Sequence, residues 1–247
     1  MEMLRSDTCV IIPTYNNAGT IGDVLARSCA SGLPVIVVDD GCTDGTAAVL
    51  SGFPQPFTLL THSRNRGKGR ALRTGLTYAK EAGYRYALTI DADGQHFPED
   101  IPLFTAALST RPDALVLGSR DLEAENMPGG NTFANRFSNF WFRLQTGKRI
   151  PDTQTGFRAY PLRRLGRLRL LSARYEAELA LLVFLTWKGV PVESVPVRVC
   201  YPENRVSSFR PFRDFFRISV LNTVLCVLAV MYGYPRKILR SGLNLFR

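Results

Sequence analysis

Through the first half of the chain, short apolar runs alternate with longer stretches whose apolar positions recur every three or four residues. Residues 8–12 form one such run, and residues 34–38 are almost unbroken β-branched, the pattern of a strand covered on both faces. Residues 57–61, 86–90 and 114–118 repeat the pattern. Between them, Thr20 is placed to cap a helix that carries Ile21, Val24 and Leu25 on one side and stops near Gly32. Residues 44–50 fit a short helix, with Thr43 or Asp44 able to cap it. Residues 68–82 fit a longer helix, with Ala71, Leu72, Leu76 and Ala79 facing inward and Gly83 as a stop, and residues 98–108 fit another. Such alternation predicts an α/β fold built on a mostly parallel sheet with helices on both faces. Ligands of such sheets bind beyond the carboxyl ends of the strands, where Asp39, Asp40, Asp91 and Asp93 all fall.

The second half is less regular. Residues 123–131 are polar and Gly-rich, the composition of a loop. Phe133, Phe137, Phe140, Trp141 and Leu144 recur at helical spacing, interleaved with Arg136 and Arg143. Residues 175–188 read as a buried helix, and 190–199 as a strand whose two prolines place it toward a sheet edge. A basic loop over 203–213 leads to an apolar segment, 215–232, broken only by Arg217, Ser219, Asn222 and Thr223. No internal repeat divides the chain.

The length of 247 residues and the 45% hydrophobic content suit one large domain, or one domain with an appendage. A net charge of +10 implies an anionic partner: nucleic acid, nucleotide phosphates or acidic lipid. No nucleic-acid-binding motif accompanies the basic residues, so nucleic acid is not expected. The five cysteines are scattered and form no CxxC pair, as reduced thiols would be. The first residues lack a charged-then-apolar leader pattern, so export is not expected.

Candidate chemistry centres on Ile90-Asp91-Ala92-Asp93-Gly94-Gln95-His96. Two acids at i and i+2 where a buried strand opens into a loop can converge on one hard cation, Mg²⁺ or Mn²⁺, with Gln95 as a neutral oxygen ligand. Such a metal neutralises charge on a departing diphosphate. A loop-capping acid pair is the plainer alternative. Asp39 and Asp40 end another buried strand, where carboxylates can accept hydrogen bonds from a nucleoside. Pro13-Thr14-Tyr15-Asn16 follows the first strand, and Tyr15 could stack on a base. Arg64-Asn65-Arg66-Gly67-Lys68-Gly69 is a basic turn entering a helix, where backbone N–H groups and Lys68 could hold phosphate. It is not a Walker loop, and no G-x-G-x-x-G follows the first strand, which removes support from ATPase and NAD-enzyme readings.

These pieces together resemble family-two glycosyltransferases of the GT-A, Rossmann-like fold, close to the dolichyl- or polyprenyl-phosphate sugar synthases. Further matching pieces are Gly75, Gly118-Ser119-Arg120, Asp152-Thr153-Gln154-Thr155-Gly156-Phe157-Arg158, Tyr175-Glu176-Ala177-Glu178 and Arg205-Val206-Ser207-Ser208, in family order over residues 8–210. The resemblance implies a GT-A catalytic domain over residues 1–210 and a C-terminal membrane-associating helical segment over 211–247. It implies that Pro13, Tyr15 and Asp39 hold the nucleoside, with Asn16 and Asp40 nearby, and that Asp91, Asp93 and Gln95 bind the metal. Arg120, Arg205 and Ser207 would contact diphosphate or acceptor phosphate, and Thr155, Gly156 and Phe157 would shape the acceptor side. The Q-x-x-R-W signature of processive members is absent, and Ser208-Phe209 stands where many relatives carry Ser-Lys.

The expected reaction is inverting transfer of one sugar from a GDP- or UDP-sugar to a polyprenyl phosphate or related lipid. A lipid phosphate is already an anion and needs no strong base, whereas a hydroxyl acceptor does. Glu176 and Glu178 are the first acids to weigh for that role, and Asp152 follows. Asp93, Glu176 and Arg205 are the expected catalytic residues. Residues 215–232, flanked by Arg210, Arg213, Arg236, Lys237 and Arg240, are expected to meet the cytoplasmic face of a membrane. The 133–144 segment is expected to be a packing helix. Rival readings are a hydroxyl-directed glycosyltransferase, a sugar-phosphate nucleotidyltransferase and a non-catalytic membrane adaptor. The sequence leaves the donor base, the sugar, the acceptor and the oligomeric state open.

Overall fold

Strands that are apolar at every position need cover on both sides, and the fold supplies it. In the computed structural model, which describes residues 7–120, 129–166, 176–200 and 211–236 (side chains of 129–133 and 211–217 excepted), strands β1 (Thr8–Thr14) and β2 (Val35–Asp39) are buried throughout. Successive side chains of β1 feed opposite cores. Cys9 and Ile11 enter a core with Ala71, Leu72 and Leu76 of helix α3 (Lys68–Glu81). Val10 and Ile12 enter the other, with Ile21, Val24 and Leu25 of α1 (Ile21–Cys29). Helix α2 (Thr46–Ser51) adds Leu50 to the α1 side, and α4 (Ile101–Thr110) adds Ile101, Phe104 and Leu108.

The sheet has seven strands in the order β3-β2-β1-β4-β6-β5-β7, where β3 is Thr58–Thr61, β4 Tyr86–Thr89, β5 Leu115–Ser119, β6 Arg158–Pro161 and β7 Val192–Pro196. All pairings are parallel except those of β6, which runs antiparallel to both β4 and β5. The five expected strands of the first half are all present, and β7 lies at an edge as its prolines require. Strand β6 is the departure from expectation: it begins with Arg158 and ends with Pro161, and only its two-sided pairing makes these residues a strand.

From β1 the chain moves outward through β2 and β3, then returns to β4 on the other flank of β1. That reversal opens a crevice at the carboxyl ends of β1, β2 and β4. Behind the sheet, α5 (Gly129–Thr146), α6 (Leu162–Leu165), α7 (Glu176–Trp187) and α8 (Pro211–Leu228) extend the α3 core. Helix α7 is buried almost all round, which accounts for its run of leucines. Helix α8 continues into a π-helical turn, Ala229–Gly233, where Gly233 lies so close to Trp187 that a Cβ would meet the indole at 2.6 Å.

Candidate active site

Three loops converge at the crevice. The first follows β1. Asn16 adopts φ +56°, a left-handed conformation that asparagine tolerates, and its side chain accepts from Thr43 N at 2.8 Å. Asn17 N donates to Thr46 Oγ1 at 3.0 Å, and Ala18 N to Asp44 Oδ2 at 3.1 Å. These bonds lace the first loop to the second and leave Tyr15 41% exposed. Asn16 therefore sits within the loop framework. Pro13 is buried in β1 and Tyr15 faces outward beside it.

In the second loop Asp39 Oδ1 accepts from Cys42 N at 2.8 Å. Gly41 has φ +72°, and a Cβ there would lie 2.4 Å from the Arg64 backbone. Asp40 turns inward: its carboxylate meets His62 Nδ1 at 2.6 Å, Arg66 N at 3.0 Å and Gly67 N at 2.7 Å. His62 in turn reaches Thr74 Oγ1 at 2.9 Å. Asp40 thus pins the basic turn to the sheet, and two backbone N–H groups expected to hold phosphate are engaged by it. Burial pushes the Cys42 thiol up to about 11, which removes it as a nucleophile near neutral pH.

The third loop carries the acid pair. Thr20 occupies the N-cap position of α1 without a side-chain cap bond. Its hydroxyl instead donates to Ala92 O at 2.6 Å and ties the start of α1 between the two acids. Asp93 Oδ1 accepts from Gln95 N at 3.0 Å. Asp91 receives Lys68 Nζ at 2.8 Å, and the same ammonium reaches Glu178 Oε2 at 2.8 Å. Lys68, expected to face phosphate, therefore bridges two acids, one on the loop after β4 and one in α7. Burial opposes charge on both Asp91 and Lys68, but their contacts outweigh it. Asp91 is held below the usual carboxylate range and Lys68 above the usual ammonium range.

A chain of contacts frames the far side. The Arg120 guanidinium closes a bidentate pair with Asp152, Nε to Oδ2 at 2.6 Å and Nη2 to Oδ1 at 3.0 Å, and Asn135 adds a third bond to that acid. Burial works against the Asp152 charge, yet Arg120 holds the carboxyl below its usual range. Asp152, weighed as a base, is thus an ion-pair partner. Beside Arg120, between α4 and β7, lies an open hollow of about 710 Å³ that includes Ser119, Leu103, Val197 and Arg198. Thr155 is buried, and Phe157 is a core residue stacked on Phe104 and His96, with centroids 4.3 and 5.5 Å away. Gly156 alone of that trio meets the acid pair: a Cβ on it would stand 2.4 Å from Asp91 Oδ2. Burial lowers the His96 pKa to about 4, against the pull of Asp91, so the ring is neutral at physiological pH.

Glu176 opens α7 and is half-buried, and Glu178, two residues on in the same first turn, sets its carboxylate on Lys68. Arg205 and Ser207, together with Tyr175 and residues 123–128, lie outside the described residues. Sequence reading overlooked His62 and gave Thr20 the role of a cap. Their partners are 22 and 72 residues away, and neither residue carries a local signal of them.

The arrangement has counterparts. The chain is 29% identical over 237 residues to a UDP-N-acetylglucosamine–dolichyl-phosphate N-acetylglucosaminyltransferase from Methanococcus voltae, covering 86% of this chain and 94% of that protein. It is 30% identical over 214 residues to a polyprenol monophosphomannose synthase from Mycolicibacterium smegmatis, covering 81% of this chain and 80% of that one. Its fold superposes on glucosyl-3-phosphoglycerate synthase from Mycobacterium tuberculosis, solved with Mn²⁺, UDP and glucosyl-3-phosphoglycerate. The TM-score is 0.67 at 20% identity, over 92% of this chain and 82% of that one. That likeness marks the sheet described above as GT-A. The model of Glycosyl transferase family 2 matches residues 9–165, which contain all three crevice loops, and the chain is accordingly a nucleotide-sugar glycosyltransferase belonging to that family.

Proposed function

We propose that this protein transfers one sugar, with inversion, from a nucleoside-diphosphate sugar to a polyprenyl phosphate or a related lipid phosphate. Supporting this are the two lipid-phosphate-directed relatives named above and, in this chain, the engagement of two of the three acids weighed as a base. Asp152 is bound to Arg120 and Glu178 to Lys68. A hydroxyl acceptor needs a carboxylate free to take its proton, whereas a phosphate monoester arrives ionised. This pairing of the acids is the observation that carries the reading.

In this mechanism Tyr15 presents its exposed ring to the base, and Asp39 accepts from the nucleoside at the adjoining strand end. Asp91, Asp93 and Gln95 offer hard oxygen donors, and the missing Cβ of Gly156 leaves room against Asp91, so the residues fit Mg²⁺ or Mn²⁺. Among the described residues no cluster of three His, Cys, Asp or Glu forms a complete cage, as suits a cation shared with substrate phosphates. Bound there, the cation would supply charge neutralisation for the leaving diphosphate. Arg120, steered by Asp152, directs its charge along the far wall, and Arg205 and Ser207 complete the phosphate contacts. Asp93 and Glu176 are, with Arg205, the catalytic residues of this proposal.

We place the protein at the cytoplasmic face of a membrane. The stretch formed by α8 and its π-helical turn buries Leu221, Leu225 and Ala229 against its neighbours. It turns Val220, Val224, Val227, Val230 and Met231 outward, the last two about 69% and 74% exposed. Phe140 and Leu144 of α5, expected to pack, are exposed as well. Residues Ile218–Arg236 are long and apolar enough to cross a bilayer by length and composition, but the buried inner side favours lying in the interface.

Membranes bearing the protein, given lipid phosphate, labelled sugar nucleotides and Mg²⁺ or Mn²⁺, should release nucleoside diphosphate and form a glycosyl phosphoprenol. Absence of turnover with any donor, or full turnover by Asp93→Ala, would sink the catalytic reading. Turnover with a glycolipid hydroxyl alone would reassign the acceptor.

A further inference from the structure

Arg158 is fully buried, heads a strand wedged into the middle of the sheet, and is not used by the mechanism above. Its guanidinium donates to three carbonyls: Nε to Thr155 O at 2.7 Å, Nη1 to Glu178 O at 2.8 Å and Nη2 to Thr153 O at 2.9 Å. Burial disfavours its charge, but Tyr160 and the nearby acids keep it cationic. Carrying a guanidinium into the interior is costly unless its fork is matched by acceptors, and an apolar residue of similar volume would fill the same space without that cost. The three acceptors lie on two segments: the 152–157 loop and the first turn of α7.

Both segments wall the Asp91 carboxylate. Gly156, which follows the two held threonines, approaches it so closely that a Cβ would stand 2.4 Å from Oδ2. Thr89 Oγ1 fixes the same glycine from beneath, donating to Gly156 O at 2.8 Å. On the other side, Glu178 holds Lys68, and Lys68 holds Asp91. We propose that Arg158 is a positioning residue: by fastening Thr153, Thr155 and Glu178 to one planar fork, it sets where the Asp91 carboxylate stands. The proposal rests on the metal reading of Asp91 only for its binding and kinetic consequences.

Arg158→Lys keeps the charge and loses the fork, since an ammonium cannot span three fixed carbonyls as a guanidinium does. The variant should fold and melt in one transition. Its dissociation constant for Mn²⁺ alone, followed by electron paramagnetic resonance, should rise about tenfold, the usual scale for groups that orient a ligand. Its kcat should fall while the KM for sugar nucleotide holds. Gly156→Ala should weaken Mn²⁺ by itself, and the double variant should lose little more than either single one. A folded Arg158→Lys with wild-type Mn²⁺ affinity and kcat would overturn the proposal, as would additive losses in the double variant. Failure of the wild type to bind Mn²⁺ would strike the metal reading, and hydrogen exchange then judges Arg158 alone. Protection lost at residues 153–157 and Asp91, with β1 and β2 unchanged, supports the proposal; unchanged protection there overturns it.

Discussion

Lys68 joins Asp91 of the acid pair to Glu178 of α7 through a single ammonium, 2.8 Å from each carboxylate. A cation of the chain itself thus stands against the carboxylate proposed to bind the metal. Removing it leaves two acids facing each other. Lys68→Met should therefore lose about 2–3 kcal/mol at neutral pH, the low end for a buried pair, because the side chains retain 17% and 24% exposure. Added Mn²⁺ should raise the melting temperature of Lys68→Met more than that of the wild type, since it replaces the lost charge. Equal shifts in both proteins would count against a shared position. The pH dependence has two limits. Asp91 titrates lower folded than unfolded, so its contribution is present above its ordinary value of 3.8 and fades as pH falls through the folded value. Lys68 titrates higher folded, so its contribution is complete below 10.5 and fades as pH rises through the folded value. The stability gap between wild type and Lys68→Met should be widest between those limits.

Gly156→Ala tests the other wall of the same carboxylate. The added methyl would stand 2.4 Å from Asp91 Oδ2, so the loop or the acid must move. Overpacking of this kind costs about 1–3 kcal/mol, and a displacement near 1 Å at a reacting centre costs about a hundredfold in rate. Activity should fall far more than thermal stability. A variant that melts several degrees lower yet turns over normally would show that Asp91 tolerates the shift.

Arg120 and Asp152 make a prediction about the absence of a base. Asp152→Asn keeps the shape and removes the charge, leaving a partly buried guanidinium poorly matched. Stability should drop by about 3 kcal/mol at neutral pH. The gap to wild type should narrow as the pH falls from the ordinary carboxyl value of 3.8 and close below the lower folded value, where Asp152 itself takes a proton. The shape of the kcat–pH profile should not change. Loss of an ionisation from that profile would restore Asp152 as a base.

Much of this molecule is legible along the chain because the signals are local. Strands β1, β2, β4 and β5 read as continuous apolar runs since both sheet faces are covered, and the acids at the ends of β2 and β4 follow directly. Strand β6 does not read this way. Its Arg158 looks like a surface residue, and only carbonyls supplied by Thr153, Thr155 and Glu178 make its burial tolerable. Asp40 looked like a ligand-facing acid beside Asp39, but His62 and two backbone N–H groups claim it from across the fold. Polar partnerships of this kind depend on which loops the topology brings together, and no spacing in the sequence encodes them.

The outward side of α8 makes the last prediction. Val224, Val227 and Met231 are 43%, 54% and 74% exposed, while Leu221, Leu225 and Ala229 are buried in the core. Replacing Val227 and Met231 with Asp removes apolar area from the proposed membrane face and adds repulsion from anionic lipid, without touching the packed side. Each side chain contributes about 1.5–3 kcal/mol when fully buried, so even partial insertion makes the double change worth roughly tenfold or more in partitioning. Flotation with vesicles of mixed neutral and anionic lipid should show the variant left in the soluble fraction, with an unchanged circular dichroism spectrum. Transfer to a short, detergent-soluble prenyl phosphate should survive, because none of the residues proposed at the crevice lies on this helix. Unchanged flotation would remove α8 as the membrane contact. Equal loss of soluble-acceptor transfer would show that the helix serves the active site instead.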